Sequence, residues 1–136
     1  MMPLQFDSEA DLPPIPFDER NRRLAGEMKN ADLTWKPHVG CFVWDPDHHI
    51  QPASPFPNRV YFILSLKRFI DLMGSGEAIA DKLVWLPTWH QARLICRRLG
   101  ISDAAVSESL HKKDRNSPGE ELAQVYLLII DALQSR

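Results

Sequence analysis

Residues 96–110 read CRRLGISDAAVSESL, and this stretch carries the signals that decide how the C-terminal half folds. Gly100 tolerates a positive φ, and Ser102 is a favoured N-cap for a following helix. Upstream, Thr88 and Gln91 have the spacing of a capping box, so a helix begins there and ends at Gly100. The stretch therefore predicts two consecutive helices joined by a tight turn.

Apolar residues on both sides of the turn have the spacing that fastens one helix across the other. Ile95 and Leu99 are the predicted buried positions of the first helix, and Cys96 is a small residue that allows close approach. Val106 and Leu110 lie four apart on one face of the second helix. A small residue, a flexible turn and apolar fastening are the requirements of a helix-turn-helix.

The pattern LGIS-x-x-x-VS-x-x-L over residues 99–110 resembles the helix-turn-helix of bacterial DNA-binding regulators. The resemblance covers residues 89–112 and identifies no subfamily, and Cys96 stands where that family usually has alanine. It implies a transcription regulator whose second helix lies in the major groove of double-stranded DNA. The residues that would then face base edges are Ser102, Asp103, Ala104, Ser107 and Glu108.

The charge distribution adds phosphate contacts to this expectation. The 136-residue chain has a formal net charge of −2, yet residues 88–115 hold six bases against three acids, whereas residues 1–34 hold four bases against seven acids. We expect basic side chains beside the turn to hold phosphates while serines and Glu108 touch base edges. The candidate DNA-binding residues are Arg93, Arg97, Arg98, Ser102, Ser107, Glu108, Lys112 and Lys113.

The same helices leave a second interpretation open, in which they bind a protein partner. The strong base readers are arginine, asparagine and glutamine, and residues 102–110 contain none of them. Two acids in this segment repel phosphates. An adaptor that uses these helices, together with the proline-rich connector at residues 46–57, is therefore the alternative to a DNA-binding protein.

Composition predicts a cytoplasmic protein without membrane association. The chain is 44% hydrophobic and 25% charged, close to the average of soluble globular proteins. Its two cysteines form no disulfide framework, and its first residues lack the features of an export signal. The longest apolar runs are too short to cross a bilayer.

The predicted fold class is mainly α, a small helical domain with a minor β element in its N-terminal half. Residues 1–17 are expected to be an irregular, proline-rich arm, and residues 18–136 a single domain. Within it, residues 39–44 are β-branched and aromatic and predict a short strand.

Two further segments of the N-terminal half predict helices. Asp18 is a plausible N-cap for a polar helix over about residues 19–30, which offers few apolar residues and should pack at the periphery. We favour another helix over residues 58–74, although its opening VYFIL could instead be a strand.

The last predicted helix spans residues 118–134 and begins with the favourable pair Ser117 and Pro118. Its apolar residues occupy nearly all of its faces, so it needs two surfaces to bury against. It either runs through the middle of the domain or forms a subunit interface. We predict a homodimer through this helix, which would also present two reading helices to two half-sites.

Two other clusters of residues offer different chemistry. Four tryptophans could line a small-molecule pocket or close the edge of a core. A turn rich in histidine and aspartate lacks the CxxC and HExxH spacings of zinc sites, so a small metal-dependent enzyme is the weakest alternative. We assign no catalytic residue, cofactor or metal ligand. The tryptophans are Trp35, Trp44, Trp85 and Trp89, and the possible metal ligands are His38, Cys41, Asp45, Asp47, His48 and His49.

Overall fold

The computed structural model describes residue 7, residues 9–112 and residues 117–136. These residues form mostly helices and one small sheet, in line with the predicted mainly α class. The helices are α1 (Glu19–Asn30), α2 (Leu66–Met73), α3 (Gly76–Lys82), α4 (Trp89–Arg98), α5 (Asp103–His111) and α6 (Pro118–Gln134). The strands are β1 (Phe42–Trp44), β2 (Val60–Phe62) and β3 (Val84–Leu86).

The sheet has the order β2-β1-β3 with both pairs antiparallel, so β1 lies in the middle. Val43 is opposite Tyr61 on one side and Trp85 on the other. The predicted strand at residues 39–44 is confirmed with narrower bounds. The strand β3 was not predicted, and it extends the β element beyond the N-terminal half.

The predicted helix over residues 58–74 is wrong in its first part. The segment Val60–Phe62 is the strand β2, and only Leu66–Met73 is helical, with the Ser65 hydroxyl accepting a hydrogen bond from the Arg68 backbone N–H. The backbone hydrogen bonds of β2 are made with β1, which is distant in the sequence, so the local pattern does not indicate them. The β-branched and aromatic side chains of VYF suit that environment.

Alternating residues of the sheet contribute to two apolar clusters on its opposite faces. Phe42, Trp44 and Val60 pack with the larger cluster, which contains α1, α4 and α6 residues. Val43 and Tyr61 belong to the smaller cluster, which includes buried residues of α2 and α3. The sheet therefore joins two layers of helices into one domain.

The helix α6 packs against α1, α4 and α5 within one chain. Its Tyr126 is fully buried and donates a hydrogen bond to the carbonyl oxygen of Pro87. Burial raises the pKa of the Tyr126 hydroxyl well above its ordinary value, which keeps the group protonated as a donor. Leu127 remains 38% exposed. Packing inside the chain thus accounts for most of the apolar pattern of α6, and the homodimer stays a prediction.

The polar sequence of α1 predicted a helix at the periphery of the domain, and this prediction is wrong. The helix packs against α6 and β3 and buries Leu24, Ala25 and Met28. The fully buried Asn21 donates from Nδ2 to the carbonyl oxygens of Pro16 at 2.8 Å and Gly119 at 3.0 Å. This amide ties α1 to the start of α6, a contact that no local pattern indicates. Among the described residues, no helix combines the length and apolar character needed to cross a membrane.

Candidate nucleic-acid interface

The predicted capping box of Thr88 and Gln91 precedes and begins residues 89–112, which are called the α4–α5 corner below. The Thr88 hydroxyl accepts from the Gln91 backbone N–H at 3.2 Å, and the Gln91 side-chain oxygen accepts from the Thr88 N–H at 2.9 Å. The two hydrogen bonds satisfy N–H groups that the first turn of α4 would otherwise leave unpaired. The start of α4 is therefore fixed by residues within its own first turn.

The turn after α4 is held by backbone hydrogen bonds of the Schellman type. The N–H of Ile101 donates to the carbonyl of Cys96 at 2.9 Å, and the N–H of Gly100 donates to the carbonyl of Arg97 at 3.2 Å. This geometry needs a left-handed residue, and Gly100 supplies it with φ +77°. The Ser102 hydroxyl then accepts from the Ala105 N–H at 3.0 Å and begins α5. The end of α4 and the start of α5 are thus fixed by local hydrogen bonds.

The second helix of the corner is attached to the domain by one face. Val106 is 1% exposed and Leu110 is half-buried, and both pack with the core cluster that contains the fully enclosed Cys96. Burial raises the pKa of the Cys96 thiol, so this cysteine is a packing residue in its protonated form. The opposite face of α5 is exposed, and it contains the predicted base-facing residues Ser102, Asp103, Ala104, Ser107 and Glu108.

Asp103 binds two of the arginines that were predicted to hold phosphates. Its Oδ1 lies 2.7 Å from an Nη of Arg93, and its Oδ2 lies 3.1 Å from an Nη of Arg97. Hydrogen bonds from Arg93 and then Arg97 lower the pKa of the Asp103 carboxyl, which is therefore ionised at neutral pH. A phosphate that approaches these guanidinium groups must compete with this carboxylate.

The remaining basic residues of the predicted set are placed differently. Arg98 and Lys112 are exposed, and neither forms an ion pair with any residue the structure describes. Lys113 lies outside the described residues. The guanidinium of Arg93 also lies 5.8 Å from the ring centre of Trp89. The described cations of the predicted set are therefore of two kinds: Arg93 and Arg97 share one carboxylate, whereas Arg98 and Lys112 have no acidic partner in the described part of the chain.

A second feature of this region is a cavity of about 590 Å³ on another face of α4, and Arg98 lines it. The cavity lies between α4, the segment at residues 33–38, Trp85 and the end of α6. Trp35 and Trp85 stack there with ring centres 5.6 Å apart and planes inclined by 12°. The abundance of tryptophan was the only sequence signal for this site, and it did not indicate which rings meet.

The histidine- and aspartate-rich turn uses its first carboxylate for internal structure. Asp45 is fully buried, and it accepts from the backbone N–H groups of His49 at 2.9 Å and Ile50 at 2.8 Å and from Arg59 Nη at 2.7 Å. His48 and His49 are both exposed. The described residues contain no group of three histidine, cysteine, aspartate or glutamate side chains able to hold a metal ion.

Comparison of the chain with protein-family models, curated proteins and solved structures found no match.

Proposed function

We propose that the protein binds double-stranded DNA through the α4–α5 corner, with α5 in the major groove. The observation that carries the proposal is that α5 is fixed at its start by the turn at Gly100 and has a free outward face. A helix of this kind fits the width of a major groove, of about 12 Å. The exposed Ser102, Ser107 and Glu108 are the groups proposed to contact base edges.

Phosphate contacts come from the cations on either side of α5. Arg98 and Lys112 are exposed without acidic partners among the described residues, so they contact phosphates directly. Arg93 and Arg97 contribute only when Asp103 gives up part of its hydrogen bonding. Asp103 therefore weakens binding to DNA of any sequence. Regulation of transcription is the role that fits such a protein.

A homodimer through α6 would double the number of reading helices. Leu127 is the apolar residue of α6 left exposed, and it marks where a second copy would pack. A twofold dimer presents the same helix to two half-sites of a palindromic operator. Sedimentation at micromolar concentration should give a dimer for the wild type and a monomer for Leu127→Glu. A monomeric wild type would remove the dimer from the proposal.

The direct test is fluorescence anisotropy with mixed genomic DNA fragments at several salt concentrations. We expect affinity to fall as salt rises, and Asp103→Asn to bind more tightly with a salt dependence steeper by about one to two released counterions. The reason is that the substitution removes a negative charge and frees two guanidinium groups. Replacing Arg97 and Arg98 together with alanine should reduce both affinity and salt dependence.

A matched control is Asp71→Asn on α2. Asp71 is exposed and pairs with Lys67 at 3.5 Å, so its substitution also frees a cation, but one far from the corner in sequence. This variant should bind DNA as the wild type does. Equal gains from Asp71→Asn and Asp103→Asn would indicate a general charge effect and would count against the corner.

The second candidate function is a protein-binding adaptor that uses the same face of α5. It is favoured by the two acids Asp103 and Glu108 on a face without arginine, asparagine or glutamine. Such a face suits a basic protein partner better than phosphates. Absence of DNA binding at low salt by the folded protein would support this candidate, and Glu108→Lys should then abolish capture of a partner that the wild type retains.

A further inference from the structure

We propose that the cavity beside α4 binds a small organic anion with a planar aromatic ring, such as an aromatic carboxylate. The cavity volume of about 590 Å³ falls within the range of small-molecule sites. The inference rests on the cavity alone and does not depend on DNA binding. Its three supporting observations are an aromatic and aliphatic wall and, within the described part of the chain, cations without an acidic partner and a buried N–H group without an acceptor.

The wall of the cavity suits a flat apolar ring. Trp35 and Trp85 are stacked nearly parallel and both line the cavity, which gives it a planar aromatic surface. Ile95 and Leu94 of α4 line it as well, and Leu94 is 47% exposed. An aromatic ligand would bury apolar surface that water now contacts, and stacking on an indole adds a preference for flat rings.

The charge of the cavity favours an anion. Lys36, Arg98 and Arg136 line it, and no acidic side chain does so among the described residues. None of these three cations forms an ion pair with a described residue. This differs from the side of α4 that faces Asp103, where one carboxylate pairs with Arg93 and Arg97 and offsets one of their two positive charges. A carboxylate can accept two parallel hydrogen bonds from a guanidinium such as Arg98.

A buried donor supplies the third observation. The indole Nε1 of Trp85 is buried and has no hydrogen-bond partner among the described residues. Most buried N–H groups in proteins are paired, and Trp85 lines the cavity, so a bound ligand is one source of the acceptor that this N–H group lacks among the described residues. An oxygen of a bound anion would satisfy it. Core closure by the two tryptophans explains their stacking, but it does not explain why the described lining residues include three cations and no acidic side chain.

The test is isothermal titration calorimetry of the full chain with three probes. These are 2-naphthoate, which has both the ring and the charge, 2-naphthol, which has the ring alone, and inorganic phosphate, which has the charge alone. We expect one molecule of 2-naphthoate per chain, bound at least about fivefold more tightly than either other probe. Equal affinity for 2-naphthol or for phosphate, or no binding of 2-naphthoate at millimolar concentration, overturns the proposal.

Matched substitutions on α4 locate the site. Leu94→Glu should weaken 2-naphthoate binding, because the new carboxylate lies one turn from Arg98 and competes for it. Leu94→Gln, of nearly the same size and uncharged, should weaken it less. Arg98→Gln should lower the affinity about fivefold, whereas Arg97→Gln, on the side that contacts Asp103, should leave it unchanged. Equal losses in Arg97→Gln and Arg98→Gln overturn the proposal.

A spectroscopic measurement on the wild type makes the test independent of any variant's folding. The indole N–H signals of ¹⁵N-labelled protein are assigned by replacing single tryptophans with phenylalanine. Addition of 2-naphthoate should shift the Trp85 N–H signal more than that of Trp44, which does not line the cavity. An unshifted Trp85 signal at saturating probe overturns the assignment of this donor to the ligand.

Discussion

Among the residues that the structure describes, two aspartates form ion pairs with arginines, and their surroundings are different. Asp45 is fully buried and joins the backbone of residues 49–50 to Arg59 across a connector. Asp103 is exposed and joins two arginines of the preceding helix. A buried charge that loses its partners is costly, whereas an exposed ion pair is screened by water. The contacts of Asp45 therefore stabilise the fold, whereas those of Asp103 determine the charge of a surface.

The backbone conformation at Arg59 adds to the importance of the Asp45 contacts for stability. Asn58 and Arg59 have φ values of +62° and +60°, in the left-handed region that side chains other than glycine rarely adopt. The Arg59 guanidinium donates to the carbonyl oxygens of Asp45 at 3.2 Å and Ile50 at 2.6 Å in addition to the carboxylate. These contacts hold the strained residues where the connector enters β2.

The largest expected effect is that of Asp45→Ala, which should lower the free energy of unfolding by about 3 kcal/mol. The substitution leaves the buried N–H of Ile50 without its acceptor and removes the anchor of the connector. Urea denaturation followed by circular dichroism measures the loss. Asp47→Ala is the control, because its side chain is 74% exposed and its stability should equal that of the wild type. Equal losses in the two variants would contradict the assigned role of burial.

Replacing glycine with alanine should have opposite effects on stability at the turn of the α4–α5 corner and at an ordinary helical position. Gly100→Ala should destabilise the protein by about 1 kcal/mol, because alanine is strained at φ +77°. Gly26→Ala in α1 should stabilise it by about 0.5 kcal/mol or more, since no atom lies within 4 Å of the added Cβ and alanine favours helices. Thermal denaturation of both variants is the measurement. A Gly100→Ala variant as stable as Gly26→Ala would rule out the left-handed turn.

Acid should remove part of the stability that Asp45 provides. Burial alone would raise the pKa of Asp45, but hydrogen bonds from Arg59, Ile50 and His49 outweigh it and hold the pKa below its ordinary value. Such a group stabilises the fold above its unfolded pKa, of about 3.9, and this contribution is lost as pH falls through the lower folded pKa. The stability difference between wild type and Asp45→Asn should therefore be full near pH 6 and narrow below about pH 4. A difference that stays constant over this range would contradict the lowered pKa.

The smallest expected effect on stability is that of Asp103→Asn. Its carboxyl group also has a lowered pKa, through Arg93 and Arg97, but the group is exposed and water screens the interaction. Thermal denaturation should give the wild-type midpoint within experimental error. A clear loss of stability in this variant would mean that the exposed pair supports the fold as the buried one does.

Local signals in the sequence predicted much of the helical half. Thr88, Ser102 and Ser117 cap helices as their spacing indicated, and Gly100 ends α4 with the expected positive φ. The contacts of the α4–α5 corner were predicted less completely. The exposed face of α5 was predicted, but the hydrogen bonds of Asp103 to Arg93 and Arg97 were not, because their spacing across a turn follows no helical rule.

The sequence by itself determined those features whose interacting residues lie within about one helical turn of each other. Capping hydrogen bonds and a left-handed glycine depend on four or five neighbouring residues, so composition and spacing are enough to indicate them. Only the tertiary structure decided the pairing of three short strands, the central place of α1 and the meeting of Trp35 with Trp85. Those contacts join segments far apart in the chain, and a three-residue strand is too short to show a period. Their energies come from burial and backbone pairing that exist only once the whole domain has assembled.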